Sequence, residues 1–295
     1  MREEQTIAPD AEPCCCSWTG GKDCNLALAH AWRDPSLHVC LLVVFRPEHK
    51  ADFDAHPRPI MEAQAEAIGL PLRVIVLPAS EPYRDAYISA IRALRDDQGI
   101  RVICTGDMDL VGTMGGNWIK ECTEAAGGVR AYLPLWKADR ASCLDALMKE
   151  NFSVVFTCVK QPWFDESWCG RRLDRDAIEV MTEMSKGCLH SDVEMENWSA
   201  KDPRRKPLDL GGENGEYHSM VLGGPLYASD INIDMGKDIK VKSKEFVSET
   251  AKNGEERWWT YDGQKWWTLG EFKVETQGNL GVEHIPTLST HKPNN

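Results

Sequence analysis

The sequence predicts an α/β protein built on a parallel sheet, and three observations support this class. Strand-like and helix-like segments alternate over the N-terminal part of the chain, which is the pattern of a parallel sheet with helices on both faces. The glycine pair and lysine of Gly20-Gly21-Lys22 stand where the first strand-like run meets the first helix-like run. The chain has 295 residues, which is enough for a large core and for two domains.

Each element follows from its local pattern. Short runs rich in aliphatic and β-branched residues predict strands, and longer segments with apolar residues three or four positions apart predict helices. In the N-terminal part the predicted strands are 13–18, 39–45, 72–77 and 102–105, and the predicted helices are 25–32, 60–68 and 83–95. Further along come a helix at 141–149, a strand at 154–159, a helix from 174 to about 184 and a short strand after the turn at 212–216.

The junction at Gly20-Gly21-Lys22 has the features of a phosphate-binding turn. Residues without Cβ let backbone N–H groups approach an anion, the helix N-terminus adds a positive dipole end, and Lys22 adds a full charge. The G-x-x-x-x-G-K-[ST] spacing of the P-loop is missing, and Asp23 follows the lysine. The alternative is an ordinary strand-turn-helix without a ligand.

Two other segments carry candidate ligands. Gly106-Asp107 follows a predicted strand, and the carboxyl ends of parallel strands meet at one edge of a sheet, so we expect Asp107 near the glycine turn. Asp107 is a candidate to assist Mg²⁺, or else it caps the loop. Near the start of a predicted helix, Arg171 or Arg172 is a candidate to hold a carboxylate or phosphate, although a surface arginine is the commoner case.

The second strong motif is the turn and strand at 212–225. Its carboxylates Glu213 and Glu216, with Tyr217 and His218, are held on a rigid edge that ends in Gly-Gly-Pro. Such a set can orient an ammonium ion, bind a charged substrate and take up a proton. A hairpin with incidental acidic residues is the alternative.

Composition excludes several classes. The net charge is −12, which disfavours a nucleic-acid partner over most of the surface. The 11 cysteines are odd in number and contain no C-x-x-C pair, so they indicate reduced thiols and not a disulfide framework or a zinc site. The N-terminus has no apolar signal core and no run is long enough to span a membrane, so we expect a cytoplasmic protein without a membrane partner.

Three parts are expected along the chain: 10–135 around the glycine turn, 136–235 around the second motif, and a Trp-rich extension at 236–295. In the extension, an Asp-Gly turn predicts a β-hairpin with Trp259 opposite Trp266. These indoles either pack onto the body or offer a flat binding face.

The motifs together resemble one family. Residues 18–24 are similar to the S-G-G-K-D-S loop of the ATP pyrophosphatases, which cleave ATP between the α and β phosphates and adenylate an acceptor. With 106–107, 133–136, 168–173 and 212–225 in the same order, about residues 14–235 resemble the diphthine-ammonia ligases, which are N-type ATP pyrophosphatases. The resemblance implies an adenine nucleotide α-hydrolase-like α/β domain, a smaller α/β substrate domain, and ATP-dependent amidation of diphthine on elongation factor 2 by ammonium.

The resemblance also implies roles for individual residues. ATP with Mg²⁺ would be bound by Thr19, Gly20, Gly21, Lys22, Asp23, Cys24, Gly106 and Asp107, with Asp107 facing the nucleotide or metal. Lys22, Asp23, Glu213 and Glu216 would be catalytic. The acyl substrate and ammonia would face Arg171, Glu213, Glu216, Tyr217 and His218.

The chain departs from the family pattern at three positions. Cys24 replaces a serine, His218 stands where the ligases tend to have an acidic or other residue, and Gly223 stands where an aspartate is usual. The form of residues 212–218, together with 106–110, looks closer to a sister branch for which amidation in cobamide metabolism is one suggestion. Two further hypotheses are a nucleotide-binding module without turnover, and either a plain ATP pyrophosphatase or a sulfur-transferring tRNA enzyme. The acidic charge and the absence of C-x-x-C pairs oppose the tRNA enzyme.

Overall fold

A five-stranded parallel sheet forms the N-terminal half of the protein. In this computed structural model the described residues are 2–49, 55–110, 115–187, 189–196, 202–234, 241–245 and 263–275. The sheet contains β1 (Glu12–Ser17), β2 (Leu37–Pro47), β3 (Leu72–Leu77), β4 (Val102–Cys104) and β5 (Arg130–Tyr132), in the order β3-β2-β1-β4-β5. Its helices are α1 (Lys22–Arg33), α2 (Arg58–Ile68), α3 (Tyr83–Gln98) and α4 (Trp118–Ala126).

Helices cover both faces of this sheet, and the buried cysteines of β1 show how the faces are divided. Cys14 and Cys16 pack into one core with α1 and α2, whereas Cys15 packs into the other core with α3 and α4. Successive side chains of a strand point to opposite faces, so a strand buried on both sides reads as a continuous apolar run. The predicted α/β class is confirmed.

A four-stranded antiparallel sheet forms the second half. Its strands are β6 (Ser153–Lys160), β7 (Tyr217–Gly223), β9 (Lys242–Glu245) and β10 (Lys265–Thr268), in the order β7-β6-β10-β9. The short strands β8 (Asn232–Asp234) and β11 (Lys273–Glu275) pair separately. The helices of this half are α5 (Arg140–Lys149), α6 (Arg175–Met184) and the four-residue α7 (Asp192–Met195).

The two halves share one core. Leu28 of α1, Phe156 of β6 and Val221 of β7 are fully buried members of the same apolar cluster. Strand β7 also lies beside the start of α1, since the amide of Val221 donates to the carbonyl of Gly20 at 3.0 Å. The second half therefore packs directly against the turn that opens α1.

Some elements differ from the sequence prediction, and part of one prediction falls outside the described residues. Helix α4 and strand β5 were not predicted, and both are short, with nine and three residues. Of the predicted hairpin, Trp259 lies outside the described residues. Trp266 lies in β10, where it is paired with Lys160 of β6 and Lys244 of β9.

Replacing Gly106 with alanine should destabilise the fold. A Cβ at Gly106 would lie well inside van der Waals contact with the backbone of Asp23 and Cys24 in α1, and backbone cannot move aside as a flexible side chain can. We expect a loss of about 1–3 kcal/mol, measured as a lower midpoint of urea unfolding. Gly187→Ala is the control, because nothing lies within 4 Å of a Cβ there. Equal midpoints for the two variants would contradict the packing of β4 on α1.

Candidate active site

The turn between β1 and α1 is buried and held by hydrogen bonds to its backbone. Gly20 has φ +74°, a conformation that favours glycine, and a Cβ there would collide with Gln64 and Met220. Besides the amide of Val221, its carbonyl accepts from Gln64 Nε2 at 2.8 Å and from Asn25 Nδ2 at 3.2 Å. The turn is thereby fixed before any ligand arrives.

Gln64 is a site residue that the sequence analysis missed. It is fully buried in α2, and its amide nitrogen donates to the carbonyls of both Gly20 and Val221, at 2.8 and 2.7 Å. Its amide oxygen accepts from Trp18 Nε1 at 3.1 Å. A glutamine on the apolar face of a predicted helix was the available signal, since a buried amide needs partners.

Asn25 and Tyr227 form a second set of hydrogen bonds that holds the turn, and neither residue was predicted from the sequence. The Asn25 amide donates to Gly21 O at 2.9 Å, and its oxygen accepts from the Tyr227 hydroxyl at 2.7 Å. Tyr227 follows β7 in the chain, so residues about 200 positions apart hold one turn. Local sequence patterns carry no information about such a contact.

Lys22 lies buried at the first position of α1. Its Nζ donates to Asp23 Oδ2 at 2.7 Å and to the carbonyl of Gly211 at 2.6 Å, and it lies 5.1 Å from the centre of the Tyr217 ring. Burial alone would lower the pKa of Lys22, but Asp23, Tyr217 and Glu213 raise it above its ordinary value. The side chain is therefore a fixed cation.

The start of α1 has no side-chain cap, and the predicted binding of phosphate by the glycine turn stays a prediction. Gly21 at the N-cap provides no side-chain hydrogen bond, and the amide of Lys22 donates to Ser219 Oγ of β7 at a long 3.3 Å. Ser219 is a further residue that the sequence analysis did not select. Unfilled N–H groups at a helix start attract phosphate.

Thr19 and Cys24 complete this turn. Thr19 is exposed, and its hydroxyl donates weakly to Cys24 Sγ at 3.6 Å. The thiol of Cys24 donates to the carbonyl of Gly21 at 3.2 Å, and burial raises its pKa to about 12. In this position Cys24 is a neutral thiol that supports the turn. Its contact with a phosphate stays a prediction.

The loop 211–216 faces Lys22, and its two glutamates differ. Glu216 is almost fully buried, and its oxygens accept from the amides of Asp209 and Asn214 and from the Asn214 side chain, at 2.9–3.2 Å. These contacts hold the loop in shape. The predicted catalytic and substrate roles of Glu216 stay predictions.

Glu213 is half-buried and close to several charges. Burial raises its pKa from the ordinary range to about 7; Lys22 acts in the opposite direction and Asp23 in the same direction. More weakly, Arg140 lowers the pKa of Glu213 and Asp209 raises it. A carboxyl group that titrates near neutrality suits proton transfer in water at physiological pH.

Tyr217 and His218 begin β7 and are placed differently. The Tyr217 hydroxyl donates to the carbonyl of Leu210 at 2.7 Å, and burial raises its pKa, so the ring is a neutral wall beside Lys22. The half-buried His218 ring lies edge-on to His56 at 5.1 Å. Burial and the neighbouring His56 lower the pKa of His218 well below its ordinary value. Burial likewise lowers the pKa of His56 to about 4, so both rings are neutral at physiological pH.

Asp107 follows β4, next to the glycine that packs on the start of α1. Its oxygens accept from Thr105 Oγ1 at 2.9 Å and from Asn117 Nδ2 at 2.7 Å. No group of three His, Cys, Asp or Glu residues that could hold a metal ion occurs in the described part of the chain. Asp107 as a single carboxylate fits Mg²⁺ only if the metal arrives with most of its ligands on a nucleotide.

Asp109 lies in the loop after β4 and contacts two basic side chains. It pairs with Lys137 and accepts from Arg140 Nη2 at 3.1 Å, and Arg140 also lies 3.7 Å from Asp209. This ion-pair network links the loop after β4 to the loop before β7. The ion pairs of Arg140 therefore hold the two loops close together.

Arg171 is the predicted substrate residue that the described contacts do not bring to this group. Its guanidinium stacks on the Trp168 ring at 4.3 Å. Trp168 packs on Phe156, which in turn packs on Tyr217. An aromatic layer thus separates Arg171 from Lys22, and its substrate contact stays a prediction.

Gly223, where the family pattern has an aspartate, has an acidic neighbour. The space that a Cβ would take at Gly223 is filled by the carboxylate of Asp230. An acidic group from the following loop therefore lies at the place of the missing side chain.

Comparison with known proteins gives the following matches. The sequence model described as "Diphthamide synthase N-terminal domain" matches residues 14–138, and the one described as "Diphthamide synthase C-terminal domain" matches residues 141–253. No curated protein matches the chain. Among solved structures, the chain is similar to "Crystal structure of a 4-thiouridine synthetase - RNA complex with bound ATP" at 15% identity and a TM-score of 0.32, over 47% of this chain and 40% of that one. In the described residues, no helix has the length and apolar character to cross a membrane.

Proposed function

The chain belongs to the diphthamide synthase family, and from this premise we propose that it is an AMP-forming ligase that amidates the diphthine carboxylate of elongation factor 2 in the cytoplasm. ATP and ammonium are the co-substrates, and AMP and pyrophosphate are the products. The observation that carries the proposal is the junction of the two motifs. The helix-start lysine Lys22 donates to Gly211 O of the acidic loop at 2.6 Å, so a nucleotide phosphate and an acyl group would meet there.

The first half-reaction would form an acyl-adenylate. A carboxylate oxygen of the substrate attacks the α-phosphorus of ATP, and the bond from the α-phosphorus to the bridging oxygen breaks as pyrophosphate leaves. The N–H groups at the start of α1 and the ammonium of Lys22 would hold the phosphates and stabilise the charge that develops. Magnesium would neutralise phosphate charge, with Asp107 as its protein ligand.

The second half-reaction would form the amide. Ammonia attacks the acyl carbon, the carbon–oxygen bond to AMP breaks, and the attacking nitrogen loses a proton. Glu213 would accept that proton, because its pKa of about 7 allows it to be ionised yet basic. Tyr217 and Glu216 would keep the loop rigid while this happens, and no protein nucleophile is needed.

The test is AMP release from ATP, Mg²⁺ and ammonium, with and without elongation factor 2 that bears diphthine. Mass spectrometry of the modified histidine reports the conversion of acid to amide. AMP that depends on the factor, together with the mass change, supports the ligase. AMP release without the mass change on the factor contradicts elongation factor 2 as the substrate. It favours a second candidate, a related ligase that amidates a small-molecule carboxylate such as one of the cobamide pathway. The departures at His218 and Gly223 motivate this candidate. Nucleotide binding without any AMP contradicts turnover.

A further inference from the structure

Asn117 is a buried polar residue that the proposed reaction does not use. It is the N-cap of α4, and only 6% of its surface is exposed. Its side-chain oxygen accepts from the amide of Lys120 at 2.9 Å, which is the capping bond of the helix, and its side-chain nitrogen donates to Asp107 Oδ2 at 2.7 Å. A cap needs only the oxygen, and serine serves about equally well there. Capping therefore does not explain the hydrogen bond to Asp107.

The cap fixes which end of the Asn117 amide meets Asp107. Because the N–H groups of a helix start only donate, the oxygen of Asn117 points to α4 and its nitrogen points to the carboxylate. The other oxygen of Asp107 accepts from the hydroxyl of Thr105 at 2.9 Å, and Thr105 is also buried. Each carboxylate oxygen thus has one hydrogen bond from a buried donor and keeps a lone pair for another partner.

The carboxylate held in this way lies beside the glycine turn. Gly106, its neighbour in the chain, packs so closely on the first turn of α1 that a Cβ there would collide with the backbone of Asp23. Burial mainly, and more weakly the charge of Asp107, raise the pKa of Tyr87, whose side chain also forms a hydrogen bond with Ser17 at the end of β1. Asp107 is therefore near both the end of β1 and the start of α1.

The groups that hold a ligating carboxylate affect how well a metal binds. Replacing such groups typically weakens metal affinity by about 10-fold to 100-fold, because the carboxylate is then free to turn away. Mg²⁺ demands near-ideal octahedral geometry and is usually bound by one or two carboxylates together with phosphates of the substrate. Asp107 is the one carboxylate that the proposed reaction gives to the metal. Its orientation is therefore the main contribution of the protein to metal binding.

We propose that Asn117, together with Thr105, is a positioning residue that holds the Asp107 carboxylate in the orientation required by the Mg²⁺ of the bound nucleotide. This inference rests on the proposed function for the binding of ATP with Mg²⁺, but not for the acyl substrate or the formation of an amide. Asn117 acts only through Asp107 and does not itself contact the metal or the nucleotide.

The test compares Asn117→Ser with Asp107→Ala and with the double variant that carries both changes. Serine keeps the helix cap but is too short to donate to Asp107. The control is Asp174→Ser, which changes the N-cap of α6, where the carboxylate accepts from the Ala177 amide at 2.8 Å. Calorimetric titration measures the affinity for α,β-methylene-ATP, which is not cleaved between the α and β phosphates, once with Mg²⁺ and once with EDTA. The ratio of the two affinities reports the contribution of the metal.

We expect this ratio to fall about ten-fold or more in Asn117→Ser, while the affinity without metal and the unfolding midpoint stay near those of wild type. Asp174→Ser should keep the wild-type ratio. In the Asp107→Ala background, Asn117→Ser should cause no further fall, because its effect passes through the carboxylate. A merely structural role would lower the ratio equally with and without Asp107.

A wild-type ratio in Asn117→Ser, or an equal fall in both backgrounds, would overturn the proposal. Should Asn117→Ser not fold, Thr105→Val removes the other hydrogen bond to Asp107 and decides in its place. The measurement uses neither elongation factor 2 nor ammonium. A ratio that depends on Asn117 in a protein that forms no amide would therefore refute the ligase and keep this inference, whereas amide formation with an unchanged ratio would do the reverse.

Discussion

Replacing Lys22 with alanine is expected to reduce AMP release by about 100-fold to 1,000-fold, the effect of removing one fixed donor from a developing charge. Lys22 is the buried cation at the helix start, and no other lysine among the described contacts donates to Gly211. The measurement is AMP formed per enzyme under saturating ATP, Mg²⁺ and ammonium.

Stability must be separated from catalysis in this variant. Lys22→Ala leaves the carboxylate of Asp23 without its 2.7 Å partner, so a lower unfolding midpoint is expected in a protein that still folds. The control is Lys120→Ala, an exposed lysine of α4 that is 62% accessible and 3.8 Å from Glu124. Wild-type AMP release by folded Lys22→Ala would refute the assignment of the glycine turn to the phosphates.

Replacing Glu213 with glutamine is expected to lower the rate of amide formation by about 100-fold and to remove its dependence on pH near neutrality. In the folded protein the Glu213 carboxyl has a pKa of about 7, so it is protonated below that pH and accepts a proton only above it. The wild-type rate at saturating ammonia should thus rise with pH through about 7. The measurement is the rate of amide formation in quenched samples between about pH 5.5 and about pH 8.5, with the concentration of unprotonated ammonia held constant.

The same pKa has a consequence for stability, with a definite sign. Glu213 binds its proton more tightly in the folded than in the unfolded chain, so its contribution to stability is present at low pH and is lost as pH rises from about 4.5 to about 7. Glu213→Gln removes this dependence of stability on pH.

Glu216→Gln serves as the contrast, because it weakens the loop's hydrogen bonds and should lower the unfolding midpoint while the pH midpoint of the rate stays near that of wild type. A pH midpoint that persists in Glu213→Gln would assign the proton acceptor to another group.

Local patterns were sufficient to predict four of the five strands of the parallel sheet. Strand β3 matches its predicted bounds, and α2 and α5 begin within two residues of theirs. The glycine turn was predictable because strand, turn and helix signals coincide within a short stretch of chain. The approach of loop 211–216 followed only from the family resemblance, since no local pattern joins Lys22 to Gly211, which lies 189 positions away.

What the sequence could not reveal are contacts made by side chains across the fold. Gln64 looks like an ordinary helix residue until β7 is placed beside it, and Asp230 fills the place of a side chain missing at Gly223. Equally, Glu213 and Glu216 read alike in the sequence. Burial and hydrogen bonding separate them into a titrating group and a loop-forming one.

The hydrogen bond from the Val221 amide to the Gly20 carbonyl has a consequence during synthesis of the chain. The ribosome makes the turn early and β7 much later, so a nascent chain has the glycines and the lysine long before it has the strand that fixes them. We expect ATP affinity to appear late in translation, after β7 has left the exit tunnel. An unfinished polypeptide would then neither bind ATP nor use it to adenylate unintended acceptors. The order of synthesis would thus keep the incomplete chain inactive.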